Sequence, residues 1–501
     1  MVGLAAGCRT AVSGQGVSGA ASASASPRPG GTLSIVQPNV ATGLTPLGAA
    51  TFAFTYRRAV FDTLLDVDPV AKTTVPVLAT SWQLSPDNKT VTLKLRSGVT
   101  WHSGRPFTAQ DVVFAIQKSI QDKPVSPFAW MFSDMQGLDA VDAQTVKIDF
   151  ATPKPTITDA LSVMIMFDQD SYADFRAGKA NIGTGPFVWD SYQPNVSIGL
   201  KKNPHYWQPG HPYLDGINVR FLTAETALAA AVQTKQADMG FNLLNVDLQR
   251  LKASGGFDIT NFVTFGNSFY IGANVNVKPL DNPTVRQAIN YGIDRARISN
   301  DVYGGTAKHS AAPWSPVSPA YDPSYDTRYV RDVDKAKQML ASAGAAGAPI
   351  VLELAQSAAQ LADIVSFNLT EIGLKPTTSV VSAAVGQDEF TNRSFKGLYV
   401  AAHGYTTLAP ADLIYGSVPF NPSPDANLFN VNDSKYQQLA AAMLTAQGDA
   451  AQAAWKDVTE EILELAFCCD IVQTTVDVVT HGLTGWKYNT WDELLLADAY
   501  L

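Results

Sequence analysis

The sequence predicts an α/β protein with more than one domain. Three observations lead there. Strand signals of period two alternate along the chain with helix signals of period 3.6, the pattern of mixed layers. The 501 residues are too many for one core, since domains run to roughly 100–200 residues. Hydrophobic residues make up 46% and charged residues 16%, the balance of a globular chain.

Residues Arg9 to Gly31 are rich in Ala, Ser, Gly and Pro, without periodicity, and are expected to form a flexible linker. The folded part begins with a short strand in Gly30–Val36. The block Leu78 to Phe114 follows. Val91, Leu93 and Leu95 alternate with Thr92, Lys94 and Arg96, as in a half-buried strand. Ser85-Pro86-Asp87-Asn88 before it is a turn cluster. Gly98 and Gly104 bound a loop carrying Trp101 and His102. Thr108 then caps a helix, with Asp111 completing a capping box and Val112, Ala115, Ile116 and Ile120 forming the apolar stripe. Further strands are predicted at Val146–Phe150, Ile198–Lys201, Ile217–Leu222 and Ile350–Leu354. Helices are predicted at Ala224–Lys235, Thr284–Ile293 and Val333–Ala343, the last ended by Gly344. Another is marked by Trp455, Val458, Ile462 and Leu465, and Cys468 and Cys469 are read as ending it with buried thiols. There is no internal repeat.

Several function classes are excluded or disfavoured. A net charge of -9 argues against a nucleic-acid partner, which would require a basic face. No GxSxG elbow, SxxK, P-loop or HExxH is present, so hydrolase and nucleotide chemistry have no carrier. The acid pairs Glu460-Glu461 and Asp492-Glu493 read as solvated faces. No CxxC or His-spaced metal pattern occurs, and no cofactor is implied. No stretch of 18 or more apolar residues follows the N-terminal segment.

The order of SW, SPD, LR, GVTWHSG and PFTAQDVVF in the block Leu78–Phe114 resembles the extracytoplasmic solute-binding proteins of ABC importers, in the peptide/nickel-binding family (family 5). Four later segments resemble the same family: Gly183-Thr184-Gly185-Pro186-Phe187, Asn203-Pro204-His205-Tyr206-Trp207, Tyr270-Ile271-Gly272-Ala273-Asn274, and Val285-Arg286-Gln287-Ala288-Ile289 followed by Tyr291 to Arg295. The resemblance implies a two-lobed periplasmic-binding-protein-like fold (type II, cluster C) with an extra subdomain on lobe I. By analogy, residues 32–72, 186–272 and 482–501 form lobe I, 73–185 its subdomain and 273–481 lobe II. Residues 1–31 would be a signal remnant, lipobox and linker. Leu4-Ala5-Ala6-Gly7-Cys8 looks like a bacterial lipobox, which implies lipidation at Cys8 and an extracytoplasmic, membrane-anchored lipoprotein.

The resemblance also implies a function. The protein would capture peptides or similar solutes in an interlobe cleft, act as a monomer, and deliver them to a permease driven by ATPase subunits. A receptor for a nickel-type metal chelate, and a non-transporting surface sensor or scaffold, are the alternatives. The hinge is expected at Ile271, Gly272, Ala273 and Asn274. The segment Tyr399–Tyr415 would line the cleft with His403, Gly404, Tyr405, Thr406, Thr407, Leu408 and Asp412. Phe128, Trp130 and Trp314 are the aromatic candidates, and Asn39 lies near the end of the first strand, Gln37 to Thr45, where a peptide backbone would pair. His102 is expected to make a structural hydrogen bond. Peptide-binding relatives have a pattern like G-W-x-x-D-x-x-D-P in this segment, whose first Asp pairs with the α-amino group of the ligand. Here Leu408 aligns with that Asp. Either the loop has shifted and Asp412 takes the role, or the amine anchor is missing; the second option is preferred.

Overall fold

The computed structural model describes residues 27–38, 55–68, 73–122, 128–404, 409–489 and 491–501. Cys8, Asn39 and the segment Tyr405 to Leu408 lie outside the described residues. Among the described residues one ten-stranded sheet runs through both lobes. Its order is Lys375–Val381, Pro349–Ala355, Leu398–His403, Asp258–Ala273, Cys468–Thr480, Met239–Phe241, Thr32–Gln37, Gly216–Phe221, Ser197–Lys202 and Phe187–Gln193. Thr32–Gln37 and Pro349–Ala355 are each parallel to both neighbours. Parallel pairs need long crossovers that bring helices over the faces, which is why Leu33, Ile35 and Val36 are all buried.

Two long strands carry the sheet from one lobe to the other. Asp258 to Val263 pair with Thr475 to Thr480, beside the strands of lobe I. Ser268 to Gly272 pair with Cys468 to Gln473, while Ser268 to Ala273 pair with Leu398 to His403, in lobe II. The register shifts between Val263 and Ser268, and there the chain changes lobes. The expected hinge, Ile271 to Asn274, lies just beyond this shift, next to the paired strands. Ile271 is laddered to Val400 on one side and Cys469 on the other, Ala273 is paired with Leu398, and the Asn274 side chain donates to the Phe395 carbonyl at 2.7 Å.

The subdomain is a four-stranded antiparallel sheet in the order Ala79–Leu84, Thr90–Leu95, Thr145–Phe150, Met135–Asp142. The helix Ala109–Gln121 packs on its last two strands. The predicted alternation holds, with Val91, Leu93 and Leu95 buried and Lys94 exposed. The capping box of Thr108 and Asp111 is formed in both directions. The Ser85 hydroxyl accepts from the Thr90 N–H at 2.9 Å, and Asn88 takes φ +55°, so the turn cluster closes the hairpin. The subdomain has no separate core. Val91, Leu93 and Trp101 belong to one cluster with Leu33, Ile35 and Leu494 of lobe I. Lobe II has two clusters of its own.

Three of the segments that carried the resemblance meet one another in lobe I. The Gly183 N–H donates to Nδ1 of His102 at 3.2 Å, so Nε2 carries the ring proton and donates to the Gly185 carbonyl at 3.0 Å. Asn203 Nδ2 donates to the same carbonyl at 2.9 Å. The Thr184 hydroxyl and Trp207 Nε1 both donate to Asp62 Oδ2, at 3.0 and 2.9 Å, and Arg96 lies over the Trp207 ring. Burial pushes His102 down to about 4. The unfolded chain takes up that proton near 6.5 while the folded chain resists it until about 4. Stability is therefore expected to fall as pH drops through that window. His102→Asn should remove that part of the acid slope in urea titrations run at each pH, and an unchanged slope would refute it.

Two local readings are corrected. The helix Asp449–Leu465 ends before the cysteines, and Cys468 and Cys469 open a strand after Ala466 takes the left-handed conformation. Both thiols are free and buried. Glu461 and Glu493 are not solvated. Glu461 is buried against Lys435, and Glu493 against Arg57, with Arg58 at 3.6 Å. Their neighbours in sequence differ: Glu460 is only in reach of Arg328, at 3.7 Å.

Candidate functional site

The rims of the two lobes meet at one face. From lobe I come Trp130, in the short helical turn Ala129–Phe132, and the helix Ile157–Val163 with Thr156 before it. From lobe II comes the helix Pro410–Gly416, started by a proline at a position where a missing N–H costs nothing. Trp130 stacks on Tyr415 with ring centroids 5.7 Å apart and planes 23° from parallel. Trp130 packs on the lobe I core and Tyr415 on a lobe II core, so this stack joins the two.

Beside the stack lie two acids. The Thr156 hydroxyl donates to Asp412 Oδ1 at 3.3 Å, and the Ala409 N–H donates to Asp159 Oδ2 at 3.2 Å. The carboxyl groups of Asp159 and Asp412 lie against each other. Burial pushes the Asp412 carboxyl well above the usual carboxylate range, and repulsion from Asp159 adds to it. Burial raises Asp159 too, partly offset by its hydrogen bonds to Asp412 and the Ala409 N–H. Burial alone pushes Tyr415 up to about 12. Asp412 Oδ2 and Trp130 Nε1 are buried and have no hydrogen-bond partner among the described residues. An acceptor and a donor of this kind are what a polar solute would satisfy.

The other expected residues lie elsewhere. The His403 ring is inside lobe II, where Nε2 meets Asp470 Oδ1 at 2.7 Å and Phe420 and Tyr270 pack around it. Gly404 follows it, its carbonyl 3.1 Å from His403 Nδ1. Trp314 is buried and donates to the Thr459 hydroxyl at 2.7 Å. Phe128 is buried edge-on against Trp491 at 4.9 Å. The face thus unites Trp130 and Asp412 but not His403, Trp314 or Phe128. Thr156, Asp159 and Tyr415 were not foreseen as site residues. Tyr415 closes the segment already singled out, whereas nothing local marks Thr156 or Asp159. Among the described residues no three His, Cys, Asp or Glu side chains come together as metal ligands, and no helix is long and apolar enough to cross a membrane.

Comparison with known proteins agrees with this architecture. A family profile described as bacterial extracellular solute-binding proteins, family 5 (middle), matches residues 73–424, and the chain belongs to that family. Di/tripeptide-binding protein 1 of Pseudomonas aeruginosa is 30% identical over 355 residues, 64% of this chain and 65% of that protein. Heme-binding protein A of Haemophilus influenzae is 27% identical over 352 residues, 64% of each chain. For the Brucella peptide-binding relatives the chain spans 57% of their length. Among solved structures, the periplasmic binding protein DppA of Helicobacter pylori with the peptide STSA superposes at TM-score 0.80, with 20% identity, over 94% of this chain and 98% of that one. The fold is that of a two-lobed, type II periplasmic binding protein.

Proposed function

We propose that the protein is the solute receptor of an ABC importer, taking peptides or peptide-like solutes between its lobes and handing them to a membrane permease powered by ATPases. The observation that carries this reading is the family match across 73–424, which runs through both lobes and through every residue of the Trp130–Tyr415 face. Relatives named for di- and tripeptides support peptide cargo. The family fold is not tied to peptides: AgaA, 22% identical, is described with agropinic acid, and NikZ, 20% identical, with Ni(L-His). The chelate alternative loses its one support in this chain, because His403 is engaged with Asp470. Lipidation at Cys8, with Arg9 to Gly31 as a leash, would keep the receptor at the outer face of the membrane.

In this reading the ligand touches Trp130, Tyr415 and Asp412, with the segment Tyr405 to Leu408 and Asn39 as further contacts. Ligand that bridges the lobes shifts the population toward the closed arrangement. Native mass spectrometry of the purified protein is expected to reveal a co-purified solute with the mass of a short peptide. Protein that carries nothing and gives no heat with a peptide library would overturn the reading. Trp130→Ala should weaken binding about tenfold, since aromatic contacts contribute roughly 0.5–1.5 kcal/mol beyond the area they bury. Calorimetric titration against the recovered solute measures this, and an unchanged Kd would remove Trp130 from the cleft.

A further inference from the structure

The acid pair at the lobe junction differs from most other buried acids; Asp62, too, has no ion pair among the described residues, but it accepts from Thr184 and Trp207. Asp111 and Asp168 share Arg105, Asp66 lies 3.0 Å from Arg58, Glu353 and Glu389 share Lys396, and Asp470 has His403. Each of these acids has a resident basic partner. Asp159 and Asp412 have each other, one from each lobe, with Thr156 and the Ala409 N–H as donors. Asp412 is buried and Asp159 partly so, and two such carboxylates in contact do not both ionise readily, so one holds a proton while the lobes stay together.

We infer that Asp159 and Asp412 form a proton-operated latch: the lobes close with one proton shared between the two carboxyl groups, and loss of that proton drives them apart. The inference rests on this face being the one that opens and closes around a solute. Nothing else charged acts on the pair among the described residues. On the helix Pro410–Gly416 the other titratable group is Tyr415, neutral at any pH below about 12. The helix Ile157–Val163 contributes Asp159 alone, and the turn Ala129–Phe132 has no titratable side chain. Lys154, close by in sequence, pairs with Asp134 at 2.7 Å.

The sign follows from the direction of the shift. Closing raises the affinity of the pair for its proton above that of two hydrated carboxyls. The closed arrangement is therefore favoured in full below the ordinary carboxylate range, about 4, and loses that advantage as pH rises through the value of the closed pair. One linked proton changes the closed-to-open ratio by up to about tenfold per pH unit between those limits.

Small-angle X-ray scattering of cargo-free protein, stripped by unfolding and refolding, tests this between pH 5 and 8. The wild type is expected to expand as pH rises. Asp412→Asn, whose amide donates to Asp159 without needing a proton, should stay compact across the range. Asp159→Asn is the second variant should Asp412→Asn not fold, and circular dichroism at each pH verifies folding. A wild-type radius that ignores pH, or the same expansion in both variants, overturns the latch. The binding reading is judged separately: a co-purified peptide with no pH response sinks the latch and leaves the receptor, while a pH response without any solute does the reverse.

Discussion

Gly183→Ala is expected to destabilise lobe I by about 3 kcal/mol or more, at the upper end of the usual 1–3 kcal/mol for overpacking. A Cβ at Gly183 would stand well inside 3.0 Å of the Val60 carbonyl. The obstacle is backbone, so no rotamer change clears it. Moving the turn would also break the bonds between Gly183 and His102 in both directions, and the Gly185 N–H to Val60 carbonyl bond at 3.0 Å. Gly104 is the control. It has φ +86° but open space where a Cβ would go, so Gly104→Ala should cost only the left-handed penalty, about 1–2 kcal/mol. Scanning calorimetry of both variants reads the difference. Equal melting temperatures for the two would show that the close approach to Val60 does not matter.

Asp470→Ala should be of similar size, about 3–5 kcal/mol, and should act on lobe II. Asp470 accepts from His403 Nε2 at 2.7 Å and from Gln473 Nε2 at 3.2 Å, and it helps keep the buried Arg295 charged. Its removal leaves the His403 ring N–H without an acceptor among Tyr270 and Phe420, leaves the Gln473 amide only the Trp314 carbonyl, and takes a carboxylate away from the Arg295 guanidinium. The Arg295 guanidinium keeps its bonds to the Asp470 carbonyl and to Asn290, so the fold should survive in a weakened form. Urea unfolding followed by the lobe II signal measures the loss. A variant as stable as wild type would mean that His403 finds another partner.

Much of the fold was legible because its signals are local. The alternation of Val91, Leu93 and Leu95, the Thr108–Asp111 box and the turn at Ser85 each involve residues a few positions apart, where backbone geometry leaves few choices. Motif order then gave the two-lobed architecture. What failed to be legible depends on distant partners. Periodicity cannot say that Glu493 meets Arg57, 436 positions away, or that Asp470 claims His403 from 67 positions away. The pairing around the expected hinge was hidden for the same reason, since the ladder partners of Ile271 lie more than a hundred residues downstream. The Asp159 contact to the Asp412 helix joins residues 250 positions apart. Neither segment alone hints that two acids will face each other.

Lobe I is completed by the end of the chain. Trp491 and Leu494 enter the cluster that holds Leu33 and Val91, Trp491 Nε1 reaches the Ser162 hydroxyl at 3.2 Å, and Glu493 pairs with Arg57 and Arg58. Lobe II, by contrast, is one uninterrupted stretch between the two crossover strands. A ribosome or translocon feeds this chain out from its N-terminus, and domains fold as their segments emerge. The half made first must then wait, with its apolar faces exposed, while the half made second can finish. A holdase should therefore engage nascent chains longest at residues 55–260, and loss of the last dozen residues should leave lobe II folded beside an unassembled lobe I.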